Sequence, residues 1–132
     1  MRNVAWLFIA FLLVACEQST FGFDTVDDAR KAKMFEKGWL PSVLPETAEH
    51  ISITTEVDVG RCSGSFFLPE ADLVEFQSQL SSEPLSFRYD AWRDEIERME
   101  RDGREVLYYR SDRATFAFSC ERVDRSCEFM CG

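Results

Sequence analysis

The chain has a single histidine, His50, and that shortage closes the commonest routes to catalysis and metal binding. A nucleophile activated by imidazole needs its histidine brought alongside, and no second His can join His50 as a ligand. The remaining zinc reading is Cys120-x6-Cys127-x3-Cys131, which lacks paired C-x-x-C spacing. No segment carries the alternating Asp/Asn and central Gly of a calcium loop. No metal and no cofactor is expected. Basic residues are also scarce, 15 Lys+Arg against 24 Asp+Glu, for a net charge of −9. Nucleic-acid backbones are bound by clustered Lys and Arg, so no nucleic acid is expected as a partner. The same deficit disfavours a polybasic grip on anionic lipid. Internal repeats, low-complexity tracts and apolar runs near the roughly 20 residues of a membrane-spanning helix are missing as well.

What apolar run there is lies at the start. Met1-Arg2-Asn3 precedes twelve uncharged residues, Val4 to Ala15, and then Cys16. A basic start, a short apolar core and small residues before a cut form a secretory leader. Leu13-Val14-Ala15-Cys16 resembles the lipobox of bacterial lipoproteins, in which the Cys is acylated and becomes the mature N-terminus. The resemblance implies a leader over residues 1–15, lipidation of Cys16 and attachment to a membrane through that lipid. Several acyl chains on one residue make such anchoring stable, since each buried CH₂ contributes about 0.8 kcal/mol. Glu17, rather than Asp, follows the Cys, which by lipoprotein sorting habits favours the outer membrane over the inner one, with the domain in the periplasm. Removing residues 1–15 leaves 117 of 132 residues, one domain's worth, and loses one Arg, taking the net charge from −9 to −10.

Residues 16–24 read as the lipidated Cys and a short polar tether, and residues 25–132 as one globular domain. Thr25-Val26-Asp27-Asp28 has the form of a capping box, with Asp in place of Glu, and predicts a helix to about Lys37 with Gly38 as its stop. Trp39 to Pro45 holds two prolines four apart, which excludes a long helix or a central strand and leaves an apolar plug. Ile51, Ile53, Thr55, Val57 and Val59 alternate with Ser52, Thr54, Glu56 and Asp58, the period-two signature of a half-buried strand. A turn at 58–61 then returns the chain along 62–68. Leu73, Phe76 and Leu80 share one helical face, as do Trp92, Ile96 and Met99, with Gly103 ending the second helix. Strands over 105–110, 115–121 and 126–130 complete an α+β fold. It has an antiparallel sheet of about five strands and two or three helices packed on one face.

With Cys16 assigned to lipid, Cys62, Cys120, Cys127 and Cys131 remain, an even number that reads as two disulfides in an exported chain. In a strand over 127–131, Cys127 and Cys131 lie about 13 Å apart at roughly 3.3 Å per residue, too far to bridge. A tight turn at Val123-Asp124 places Cys120 opposite Cys127. That leaves Cys62–Cys131 to tie the early hairpin to the last strand.

Gly60-Arg61-Cys62-Ser63-Gly64 has the G-x-C-x-G form of a nucleophile elbow, but an elbow runs from strand to helix, whereas this segment leads into a strand. The glycines are explained by a turn and by strand crowding. His50 reads as a solvated loop residue. The acid groups Asp27/Asp28, Glu70/Asp72 and Asp94/Glu95/Glu97 read as solvated helix faces, and Glu97-Arg101 and Glu100-Arg104 have the spacing of helical ion pairs. No catalytic residue is assigned. Tyr108, Tyr109 and Arg110 form an interface candidate: adjacent strand residues face opposite sides, so one tyrosine is expected at the surface beside an Arg.

Gly38-Trp39-Leu40-Pro41-x-x-Leu44-Pro45, followed by a strand, Gly64-Ser65-Phe66 and Pro69-x-x-Asp72-Leu73, resembles a pattern of small uncharacterised bacterial proteins over residues 37–80. The resemblance implies a shared fold and no activity. The expected function is a non-enzymatic envelope lipoprotein that binds another protein, with a basic envelope protein as partner. One alternative is an immunity or inhibitor protein against a basic toxin or hydrolase. The other is a thiol- or carboxylate-dependent enzyme.

Overall fold

A computed structural model describes residues 18–88 and 90–132. Nine elements follow one another: β1 (Gln18–Thr25), α1 (Val26–Lys31), β2 (Glu49–Glu56), β3 (Arg61–Phe67), α2 (Glu70–Ser78), α3 (Asp90–Arg101), β4 (Leu107–Arg110), β5 (Thr115–Glu121) and β6 (Ser126–Cys131). The strands form one antiparallel sheet in the order β1-β2-β3-β6-β5-β4. Two three-stranded meanders are thus joined where β3 pairs with β6.

Alternation along the strands gives the sheet two unlike faces. On one, Ile51, Ile53, Phe66, Phe116, Phe118 and Phe129 pack with Val26 and Ala29 of α1, Leu40 and Leu44 of the proline-bounded plug, and Leu73 and Phe76 of α2. Phe118 has ring centroids of Phe66, Phe76, Phe116 and Phe129 between 5.1 and 6.3 Å away, so this is an aromatic core. On the other face, Ala117, Met130 and Tyr108 meet Ile96 and Met99 of α3. The helices were expected on one face; the structure places α1 and α2 on one side and α3 on the other. The sixth strand is β1, from the segment expected as a tether. It pairs with β2 from Gln18↔Glu56 to Thr25↔Glu49. Cys16 and the leader lie outside the described residues.

Thr25 caps α1, its Oγ1 accepting from the Asp28 N–H at 3.2 Å. The helix ends at Lys31 rather than near Lys37 because Lys33 turns left-handed (φ 62°), and Met34 N–H reaches back to the Ala29 carbonyl at 3.1 Å. Gly38 (φ 83°) then closes the turn that follows. The β2 alternation outruns its strand. Pairing stops at Glu56, and Val57 and Val59, expected on the buried face, stand 62% and 39% exposed in the turn. At the other end of the fold, Gly103 (φ 80°) lets Arg104 N–H bond the Met99 carbonyl at 3.0 Å and ends α3.

Both disulfides join residues directly opposite in the sheet, Cys62↔Cys131 across β3 and β6 and Cys120↔Cys127 across β5 and β6. Between them Gly64 lies opposite Phe129. A Cβ there would fall 2.1 Å from the Ser52 carbonyl oxygen and 2.8 Å from the Phe129 ring, so only glycine fits. This packing, not a catalytic turn, accounts for the second glycine of G-x-C-x-G.

Candidate functional site

The sulfur of Cys62 is bonded to Cys131, and Cys120 to Cys127, so none of these four residues offers a thiol. His50 is exposed at the start of β2, edge-on to Phe67 at 6.1 Å, with Glu49 and Arg125 beside it in a shallow hollow. The acidic groups are dispersed. Asp27 pairs with Lys31 at 3.2 Å, and Asp72 accepts from the Thr47 hydroxyl at 2.6 Å on the other helix. On α3 the ion pairs differ from those the spacing predicts: Arg98 pairs with Glu95 and Asp102, while Arg104 leaves the helix and reaches Glu128 of β6 at 3.0 Å. Among the described residues no cluster of three His, Cys, Asp or Glu could hold a metal ion, and no helix is long and apolar enough to cross a membrane.

Burial divides the three residues of the interface candidate. Tyr108 is 3% exposed beneath α3, because its face of β4 is the one that helix covers. Burial and the nearby Glu100 carboxylate push its phenol above the ordinary value. Tyr109, on the opposite face, packs beside the plug with its hydroxyl 3.4 Å from the Ser42 Oγ. Of the three, only Arg110 faces solvent fully.

The sheet face that carries α3 is where a surface opens. The helix covers the β4–β6 half, while β1–β3 present Thr20, Ser52, Thr54, Ser63 and Ser65. Thr20 and Thr54 share a hydroxyl hydrogen bond of 3.1 Å. Where the helix meets this polar half a groove of about 360 Å³ forms between α3 and strands β3 and β6. Ser63 and Ser65 line its sheet side; Trp92 and Met99 give it apolar walls; Glu95 and Glu128 stand at its edges. Trp92 is fixed there, its indole N–H donating to the Cys131 carbonyl at 2.9 Å and the Arg61 guanidinium lying 5.5 Å over its ring. Hydrogen bonds from Arg98 lower the Glu95 pKa and keep that carboxylate ionised. An apolar wall with carboxylates at the rim suits an aliphatic stem whose positive charge joins the existing Arg98–Glu95 and Arg104–Glu128 pairs.

Sequence reading missed this groove. Trp92 and Met99 read only as one helical face, and Ser63, Ser65 and Glu128, on two strands far apart in sequence, were assigned no face and no role. The alternating small polar residues of β3 were the one available signal.

Residues 17–67 match the family model described as the YbbD head domain. The match begins just before β1, ends with β3 and covers less than half of the chain. It overlaps the first part of the Gly38-Trp39-Leu40-Pro41 pattern region and takes in β1, β2 and β3 of the sheet. No curated protein and no solved structure matches the chain.

Proposed function

We propose that this chain is a non-enzymatic envelope lipoprotein, anchored by lipid on Cys16 and facing the periplasm of the outer membrane, that binds a basic protein partner in the groove beside α3. The groove itself carries this reading: a rigid Trp92 wall and the Glu95 and Glu128 carboxylates converge on one opening. The acidic surplus of the whole chain favours encounter with a basic partner. β1 sharpens the anchoring half of the proposal. Only Glu17 separates Cys16 from Gln18, so an acylated Cys16 holds the sheet within about 7 Å of the membrane surface, at roughly 3.3 Å per extended residue.

Two measurements test the two halves. Mass spectrometry of the mature protein should find an acylated Cys16 at the N-terminus, and Cys16→Ala should abolish the acyl mass; a retained leader on the native chain would refute anchoring. Crosslinking in intact cells followed by affinity purification should recover one partner from the native chain. The Glu95→Lys/Glu128→Lys double variant should lose it while both disulfides remain. Equal recovery from the double variant removes the groove from the account.

A further inference from the structure

The end of the sheet at which β1 begins gathers features that the core does not use. Gln18 pairs with Glu56, Glu56 with Arg61, Cys62 with Cys131, Cys131 with Phe116, and Arg110 with Thr115, so the 57–60 and 111–114 turns lie at that same end. Six strands spaced about 4.8 Å apart make it roughly 24 Å wide. Between the two turns sits a polar cleft of about 370 Å³ lined by Arg88, Arg110 and Arg113, with Gly60 and Ser111 in its walls. All three arginines are exposed, and none forms an ion pair with a described residue. Asp58 and Asp112 occupy the same two turns, exposed and likewise unpaired among the described residues. The Arg113 stem lies over Gly38, where a Cβ would come within 2.9 Å of its Cδ, so the glycine's missing side chain seats this arginine.

In a chain of net charge −9, the three guanidinium groups that line this cleft outnumber the Asp58 and Asp112 carboxylates of the adjoining turns, neither of which lines it, and leave a local positive site. Guanidinium forks match the oxygens of a phosphate, with charge-assisted hydrogen bonds. The adjoining tip supplies the second requirement of a membrane contact. Val57 and Val59 are 62% and 39% exposed beside Gly60, which is itself a wall of the cleft.

We infer that this end of the sheet docks on the bilayer, Arg88, Arg110 and Arg113 binding the phosphate of an anionic phospholipid headgroup while Val57 and Val59 enter the interface. The inference rests on the anchoring proposed above for its orientation, because an acylated Cys16 puts this end against the membrane. The arginine cleft itself does not require the anchor.

The test uses the full chain extracted in mild detergent and examined by native mass spectrometry with phosphatidylglycerol or phosphatidylcholine added. Phosphatidylglycerol should remain bound and phosphatidylcholine should not. Affinity should fall roughly fivefold for each arginine replaced by Gln at positions 88, 110 and 113. Arg88→Lys should retain most of the binding, and Val57→Ser/Val59→Ser should lower retention on vesicles without abolishing headgroup selectivity. Intact disulfides and native circular dichroism in each variant separate lost binding from lost folding. Equal binding of both lipids overturns the inference, as does phosphatidylglycerol binding unchanged in the triple Gln variant. Binding of inorganic phosphate without retention of lipid overturns the lipid source. Absence of an acyl mass on Cys16 with phosphatidylglycerol still bound would overturn the anchor alone.

Discussion

On one face of the sheet Phe66, Phe116, Phe118 and Phe129 lock against α1, the plug and α2, whereas the other presents half-buried Ser52, Thr54, Ser63 and Ser65 and covers only its β4–β6 half with α3. The aromatic face accounts for most of the buried apolar surface, and its cost of mutation should be correspondingly high. The α3 face buries a smaller cluster, Tyr108, Ala117 and Met130 of the sheet against Ile96 and Met99, and leaves a groove where its cover stops. One face is therefore spent on stability, and the other is left open for contact.

The comparison breaks most visibly at Phe118. Phe118→Ala should destabilise by about 3–5 kcal/mol in urea unfolding, because the residue is 1% exposed and surrounded by four rings. Half-buried Trp92→Ala on the opposite face should cost clearly less. The disulfides should divide next. Loss of Cys62–Cys131, which closes a span of 69 residues, should cost about 4 kcal/mol, and loss of Cys120–Cys127, which spans 7, about 2 kcal/mol in the chain-entropy account.

Tyr108 gives the α3 face a pH signature. Its folded pKa is raised, so in alkali the unfolded chain releases this proton first, from an ordinary value of about 10, while the folded chain retains it. The unfolded state then binds fewer protons, and stability falls as pH rises above that value. Denaturant midpoints measured across this range should decline less steeply in Tyr108→Phe. The smallest effect is expected at Ser119, whose buried hydroxyl has no partner among the described residues. Ser119→Ala should be neutral or stabilising by up to about 1 kcal/mol, read from the urea midpoint.

What the sequence disclosed follows the same division. The disulfide pairing was legible because strand register at Cys120 and Cys127 is set by a short turn and two alternating strands. α2 and α3 were legible from Leu73/Phe76 and Trp92/Ile96/Met99, since each has one apolar stripe, although α2 stops at Ser78 and leaves Leu80 beyond its end. β1 was not, because an exposed edge strand needs no buried alternation, and Gln18-Ser19-Thr20 looks like a tether. Alternation misled at Val57 and Val59, where apolar residues follow the strand into a turn. Arg110 and Arg113 flank one turn, but Arg88 precedes α3, so only the folded chain adds it to them, and a net acidic composition conceals the group.

The division of labour between the faces is most directly tested by site-specific photo-crosslinking in intact cells. A photoreactive residue at Ser65, on the groove, is compared with one at Gln79, beside α2 on the aromatic side. The account predicts one discrete crosslinked protein from Ser65 and none from Gln79. The same product from Gln79 with nothing from Ser65 would contradict it.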